Sequence, residues 1–183
     1  PNLLPALDLL ISPANLGMGA RHVTISTSGL APQIEELAYH PLQFRLALSL
    51  HAASDVIRDK IMPVNKRFPL GRLLEACDVF VRAKKKQIFF EYILLSGIND
   101  SPEQATLLAQ HARRLFAKVN LIPYNKVEGL PYERPSEEAI HLFCRTLLKA
   151  GVRATVRREK GHDIDAACGQ LRLREEMKQP QTS

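Results

Sequence analysis

The sequence predicts an α/β fold built around a parallel sheet, and two features of the chain lead to that expectation. Short segments rich in β-branched and aromatic residues alternate with longer segments whose apolar residues recur at helical spacing. Polar residues also follow the ends of several strand-like segments. Alternating strands and helices form right-handed βα units, and ligand sites form at the carboxyl ends of such strands in open sheets and barrels alike.

Five segments have the composition of strands, and each is bounded by turn or helix signals. They cover residues 22–26, 44–50, 88–94, 119–123 and 153–157. Helical spacing predicts helices over residues 3–11, 31–38, 70–83, 102–117 and 136–150. Ser101 and Ser136 stand where helix N-caps are favoured, and Gly151 supplies a stop. We expect one domain over residues 1–171, followed by a polar tail over residues 172–183.

Composition and charge narrow the class of protein. Lysine and arginine outnumber aspartate and glutamate by 25 to 19, and the net charge of +6 favours an anionic partner such as nucleic acid. A basic excess of this size is also common in proteins that bind no nucleic acid. No apolar run approaches the roughly 20 residues of a membrane helix, and no signal peptide is recognisable. A reducing, cytoplasmic setting is expected because the three widely spaced cysteines form no disulfide framework. Pro1 stands directly before an apolar periodic segment, which we interpret as a chain cut from a larger protein.

Polar residues at the strand ends are the candidate ligand contacts. Ser49 and His51 flank Leu50 at the end of one strand, where they either close the strand by hydrogen bonds or line a cofactor pocket. Asn125 follows another strand, and its amide suits either a turn or a ligand. Ser26 begins a Ser-Thr-Ser-Gly segment, which could cradle a ribose or a carboxylate or could cap the following helix. Spacing alone leaves each of these alternatives open.

The three cysteines are too few and too widely spaced for a disulfide framework or a metal clip. Cys77 and Cys144 fall on apolar helix faces, and we interpret both as core residues. Cys168 lies between small residues after the last strand, where its sulfur would be accessible. The basic residues in 157–160 would favour its thiolate, whereas nearby aspartates would oppose it. Packing as a small hydrophobic residue is the alternative for Cys168.

Five segments, some of which overlap the predicted strands, together and in this order indicate a known protein family. They are residues 21–29, 46–52, 57–66, 119–125 and 163–171. They resemble the RlmN-like family, the radical S-adenosylmethionine (SAM) enzymes that methylate adenine C2 in ribosomal RNA and also act on certain transfer RNAs. The resemblance implies an incomplete parallel (βα) barrel of the radical SAM type, of which this chain supplies the later strands. It also implies a set of SAM contacts, namely Ser26, Ser49, Leu50, His51 and Asn125.

The resemblance further implies a mechanism in which Cys168 is the catalytic residue. Cys168 would first take a methyl group from one SAM by displacement. A [4Fe-4S] cluster, reduced by an electron donor, would cleave a second SAM to a 5′-deoxyadenosyl radical. That radical would remove a hydrogen atom from the Cys168 methyl group. The resulting carbon radical would add to adenine C2 in 23S rRNA or tRNA, and a second cysteine would release the product, with a disulfide bond in the cycle. We expect the enzyme to act as a monomer and to bind no membrane.

Parts of the family pattern are missing from this chain. It has no Cys-x3-Cys-x2-Cys cluster motif, no Gly-Glu motif for the SAM amino group and no resolving cysteine. We therefore expect no metal ligands in it and no activity from it alone. Two alternatives stay open: a related enzyme that methylates adenine at C8, and an RNA-binding domain without catalysis. A cluster motif in the upstream sequence would favour the enzymes.

Overall fold

The computed structural model describes residues 3–127 and 129–157, which form a five-stranded sheet with parallel neighbours throughout. The strands are β1 Thr24–Thr27, β2 Arg45–Ser49, β3 Phe89–Leu94, β4 Lys118–Pro123 and β5 Ala154–Val156. Their order across the sheet is their order along the chain. Right-handed connections between strands in such an order place all the crossing helices on one face, as in a (βα) barrel.

Six α-helices occur in the described part of the chain. They are α1 Leu3–Ile11, α2 Ala31–Tyr39, α3 Asp55–Ile61, α4 Leu70–Lys84, α5 Pro102–Arg114 and α6 Glu137–Lys149, with 3-10 turns at Ala20–His22 and Pro63–Lys66. Side chains cap two of them, since the Ser101 hydroxyl accepts from the Gln104 N–H at 3.3 Å and the Ser136 hydroxyl accepts from the Ala139 N–H at 3.2 Å. None of the described helices is long and apolar enough to cross a membrane.

The core lies between the sheet and the helices. Buried and half-buried residues alternate along β3 and β4, so one side of each strand faces the helices and the other side faces away. Leu48, Phe90 and Leu121 belong to the core on the helix side. Phe143 of α6 packs there on Tyr92 of β3, with ring centroids 5.4 Å apart. The opposite face of the sheet carries the remaining strand side chains, several of which are polar.

The predicted fold class is confirmed, and each predicted strand and helix overlaps an observed one. Some ends differ. β1 begins at Thr24 because a 3-10 turn precedes it, and α5 ends short of the predicted residue 117 because Phe116 adopts a left-handed conformation with a φ of 50°. The prediction missed α3 altogether. Its single buried residue is Arg58, so it has no apolar stripe that a search for helical periodicity could find.

Candidate functional site

The predicted site residues all lie at or near one edge of the sheet, because all the strands run in the same direction. Ser26 lies in β1, Ser49 is the last residue of β2, Leu50 and His51 follow it, and Asn125 comes shortly after β4. Adjacent strands are about 4.8 Å apart, so the β4 end lies about 10 Å across the sheet from the β2 end. We call this the carboxyl edge. It is where parallel α/β proteins form their ligand sites.

Ser26 and Ser49 lie on the face of the sheet that is turned away from the helices, at different heights. Ser26 is level with Ala47 and Ser49 is level with Glu91, so Ser49 stands closer to the carboxyl edge. Ser26 is exposed, and Ser49 and Asn125 are half-buried. Within residues 3–127 and 129–157, neither hydroxyl and no part of the Asn125 amide makes a hydrogen bond. Among the described residues, nothing occupies the hydrogen-bonding capacity of these three groups.

Leu50 points the other way, into the core, where it is fully buried. Its N–H donates to the Glu91 carbonyl at 3.0 Å, and its carbonyl accepts from Arg58 Nε at 3.0 Å. The side chain thus anchors the end of β2, and both backbone groups have partners. Its role as a SAM contact stays a prediction.

His51 has an unusual backbone conformation that its neighbours hold in place. Its φ is 59°, which is uncommon for a residue other than glycine. Its N–H donates to the Glu91 carbonyl at 3.3 Å, and its carbonyl accepts from the Asn99 side chain at 2.8 Å. The ring is fixed as well, since Nδ1 accepts from the Ile93 N–H at 3.2 Å. In the neutral ring Nδ1 is therefore the bare nitrogen, and Nε2 carries the hydrogen.

The charge state of His51 follows from its surroundings. Its pKa is lowered to about 4, chiefly by burial and then by the Arg58 cation, against an opposing hydrogen bond with the Glu91 backbone. The imidazole is therefore neutral near pH 7. It offers Nε2–H as a donor to an acceptor atom of a ligand, such as a hydroxyl oxygen or a ring nitrogen, and it adds no charge.

A polar row on the same face of the sheet was not predicted. Asn120 Nδ2 donates to Glu91 Oε1 at 2.8 Å, and the Thr155 hydroxyl donates to Asn120 Oδ1 at 2.9 Å. Ser49 is the register partner of Glu91, so the row crosses β2, β3, β4 and β5. The signal available in the sequence is one carboxylate or amide among the apolar residues of a strand, as in FFEYIL and KVNLIP.

Arg58 of α3 is a second feature that the sequence reasoning missed. It is fully buried beneath the carboxyl edge, and it donates to backbone carbonyls that follow β1 and β2. Residues 57–66 contributed to the family resemblance, but no role was predicted for them. From the sequence alone, an arginine in a short charged helix is expected to be exposed to solvent, because its buried partners come from the ends of the strands.

The described cysteines are poor nucleophiles. Cys77 is fully buried, and burial raises the pKa of its thiol to about 12, which confirms the interpretation as a core residue. Cys144 is half-buried, packs against the core, and also has a pKa raised by burial. Cys168 lies outside the described residues. Within the part of the chain that the structure describes, no three His, Cys, Asp or Glu side chains form a group that could hold a metal ion.

Curated relatives of the chain are methyltransferases by name. No protein-family model matches the chain. It is 55% identical over 175 residues to the "Probable dual-specificity RNA methyltransferase RlmN" of Akkermansia muciniphila, an alignment that covers 96% of this chain and 49% of that protein. It is 46% identical over 177 residues to the protein of the same name from Desulforamulus reducens, covering 97% and 51%. The chain thus spans about half the length of the curated relatives it matches.

A comparison with solved structures also finds a methyltransferase. A radical SAM methyltransferase from Sphaerobacter thermophilus matches with a TM-score of 0.87 and 44% identity, over 91% of this chain and 49% of that one. A domain of a pyruvate-formate lyase-activating enzyme from Bacteroides vulgatus matches at 0.65 and 20% identity, over 83% and 89%, which shows the fold alone. The fold is thus the later part of a radical SAM (βα) barrel. Over about half of their length, the chain is similar to RNA methyltransferases named RlmN and to a radical SAM methyltransferase of known structure.

Proposed function

We propose that this chain is the carboxyl-terminal half of an enzyme that uses radical SAM chemistry to methylate C2 of an adenine in 23S rRNA and in tRNA. The observation that carries the proposal is the 55% identity to the Akkermansia muciniphila protein, which is named as a dual-specificity RNA methyltransferase. The net charge of +6 supports an RNA substrate, because lysine and arginine attract phosphates.

The carboxyl edge supplies groups that suit the parts of SAM. The Ser26 and Ser49 hydroxyls can donate to and accept from ribose hydroxyls, and the Asn125 amide can do the same with an adenine edge. Leu50 is included because the family resemblance assigns it to the same segment. His51 donates through Nε2, and its low pKa supports this role, because a neutral ring does not repel the positive sulfonium.

Cys168 is the proposed methyl acceptor. Its thiolate would attack the SAM methyl carbon, so that a sulfur–carbon bond forms while S-adenosylhomocysteine leaves. A [4Fe-4S] cluster, bound by residues outside this chain, would supply the electron for the radical step. The raised pKa values of Cys77 and Cys144 support the choice of Cys168, because thiols held in the protonated form are weak nucleophiles.

Several properties of the whole enzyme belong to the same proposal. It works in the cytoplasm as a monomer, receives its electron from a separate donor, and passes through a disulfide when the product is released. In this proposal residues 1–171 are the C-terminal part of the partial-barrel domain, and residues 172–183 are a polar tail.

Mass spectrometry of the whole enzyme tests the role of Cys168. After purification with SAM available, we expect one methyl group on the peptide that contains Cys168, and Cys168→Ala should abolish formation of 2-methyladenosine in 23S rRNA. Cys144→Ala is the matched control. It should keep the activity and lose about 1 kcal/mol of stability. Methylation found solely on Cys77 or Cys144, or 8-methyladenosine as the product, would contradict the proposal.

A further inference from the structure

Arg58 joins the ends of two strands. Its side chain is the largest among the fully buried ones of the described residues. Nη2 donates to the Ser28 carbonyl after β1 at 2.7 Å, and Nε donates to the Leu50 carbonyl after β2 at 3.0 Å. Nη2 also reaches the Ser49 carbonyl at 3.4 Å. One guanidinium thus connects the two chain segments that carry most of the candidate SAM contacts.

The remaining contact of Arg58 explains how a cation can be buried here. Nη1 donates to Asn65 Oδ1 at 2.8 Å, and Asn65 Nδ2 donates in turn to Asp55 Oδ1 at 2.8 Å and to Asp59 Oδ1 at 2.7 Å. The amide therefore stands between the guanidinium and two carboxylates. Within the described residues no carboxylate bonds Arg58 directly, so its other donors are free to bind backbone carbonyls.

The backbone after β1 lies directly against this guanidinium. Gly29 has a φ of 113°, and a Cβ at that position would lie 3.0 Å from Arg58 Nη2 and 3.0 Å from a Leu73 methyl group. A side chain would therefore push either the arginine or the strand end out of place. The Arg58 fork has a fixed planar shape, so it sets direction as well as distance for the groups it binds.

Asn99, which lies between β3 and α5, completes the arrangement. It is fully buried, and its Nδ2 donates to the His51 carbonyl at 2.8 Å and to the Ile93 carbonyl at 2.7 Å. The three successive carbonyls of residues 49–51 are thus each bound by Arg58 or Asn99. A turn with a left-handed histidine persists when its surroundings over-determine it in this way.

We propose that Arg58 is a positioning residue of the SAM site, which holds the ends of β1 and β2 at the spacing and orientation that the ligand requires. It acts through the backbone and touches no ligand itself. This inference rests on the proposed function, because it assumes that Ser26, Ser49 and His51 contact SAM. It goes further in assigning the affinity of the site to a side chain buried below it.

The test compares two buried cations at opposite edges of the sheet. Lys84 is buried at the end of α4, and its amine binds the carbonyls of His40 and Leu42 ahead of β2, away from the carboxyl edge. Arg58→Met and Lys84→Met each remove one such cation and leave an apolar chain. The whole enzyme with its cluster is titrated with SAM by calorimetry, and thermal unfolding of each variant records the loss of stability.

Arg58→Met should weaken SAM binding about 10- to 100-fold, the scale on which metal sites lose affinity when a residue that orients their ligands is removed. Lys84→Met should stay within about twofold of the unaltered enzyme, even though it is also destabilised. Arg58→Lys keeps the charge and covers the case in which Arg58→Met does not fold. It should still bind SAM at least about fivefold more weakly, because an ammonium cannot reproduce the planar fork. The Michaelis constant for SAM should rise in the same proportion.

Two results would overturn the inference, and they differ in what else they affect. Equal SAM affinities in the Arg58 variants and in Lys84→Met would reject the positioning role and leave the proposed function intact. No SAM binding by the unaltered holoenzyme would reject the proposed function, and the positioning role with it.

Discussion

The two edges of the sheet contain the same kind of contact in different settings. At the opposite edge, where the strands begin and which we call the amino edge, the buried Lys84 amine binds the carbonyls of His40 and Leu42 just before β2. At the carboxyl edge, the buried Arg58 guanidinium binds carbonyls just after β1 and β2. In both places a cation from a helix satisfies backbone acceptors at a strand end, as buried carbonyls require.

The groups around these cations differ. Arg21, Arg45, Lys86 and Lys118 surround a cavity of about 430 Å³ at the amino edge, where like charges repel one another. The carboxyl edge instead presents hydroxyls, an amide and the neutral ring of His51. A buried cation therefore does not mark the site by itself. What distinguishes the candidate site is the Ser26 and Ser49 hydroxyls and the Asn125 amide, which make no hydrogen bond to the described residues.

The largest effect that would sharpen this comparison is expected from Asn99. Asn99→Ala should lower the free energy of unfolding by about 4 kcal/mol, because three buried backbone groups lose their partner at about 1–3 kcal/mol each. Lys84→Met should lose about 2 kcal/mol, since two carbonyls lose a donor while most of the packed chain is kept. Denaturant unfolding measures both. Equal losses would mean that the carboxyl edge is no more tightly determined than the amino edge.

The two edges should also differ in how they make the free energy of unfolding depend on pH. The pKa of His51 is about 4 in the folded chain, against 6.5 for an ordinary histidine. Between these values the unfolded chain binds the extra proton, so the free energy of unfolding should fall by about 2–3 kcal/mol as the pH decreases from about 6.5 to about 4. Above this window the contribution is complete and constant.

His51→Asn isolates that contribution, because asparagine tolerates a positive φ and does not titrate. The unfolding free energy of this variant should depend less on pH between about 4 and 6.5 than that of the unaltered chain. Burial lowers the pKa of Lys84 from its alkaline value, so the amino edge should contribute in the alkaline range instead. Parallel pH profiles for the two proteins would show that His51 is not held neutral by folding.

The smallest effect concerns two glycines. Gly29→Ala should cost about 2 kcal/mol, from the positive φ and from contact with Arg58 and Leu73. Gly151 lies ahead of β5 at the amino edge, with a φ of 78° and no atom within 4 Å of an added Cβ, so Gly151→Ala should cost about 1 kcal/mol from the backbone alone. Thermal unfolding compares them. A smaller loss for Gly29→Ala would mean that the strand end can move away from the guanidinium.

Elements with a strong local pattern could be predicted from the sequence. β3 and β4 are short apolar runs, and α5 and α6 begin at serine caps whose hydrogen bonds are present in the structure. The gathering of Ser26, Ser49, His51 and Asn125 at one edge follows from local information too, because each lies at or near a strand end. α3 was not predicted because it has no apolar stripe. Its one buried residue, Arg58, is buried through partners that other elements supply.

The finer features of the site could not be predicted, because they depend on the sheet register. Glu91 and Asn120 become neighbours when β3 and β4 pair, and their sequence positions alone do not show it. The free nitrogen of His51 depends on the Ile93 N–H and its φ on Asn99, both supplied by later parts of the chain. Cys168 lies outside the described residues, so its role stays a prediction.

The sequential strand order has a consequence for how the protein is made. Every strand pairs with the strand that precedes it in the chain, and no register pair is further apart in sequence than Ala47 and Phe89. The entropy cost of closing each connection is therefore smaller than in a sheet whose neighbouring strands are distant along the chain. As the chain leaves the ribosome, β1 and β2 can pair, and Arg58 can lock their ends, before β5 has been synthesised.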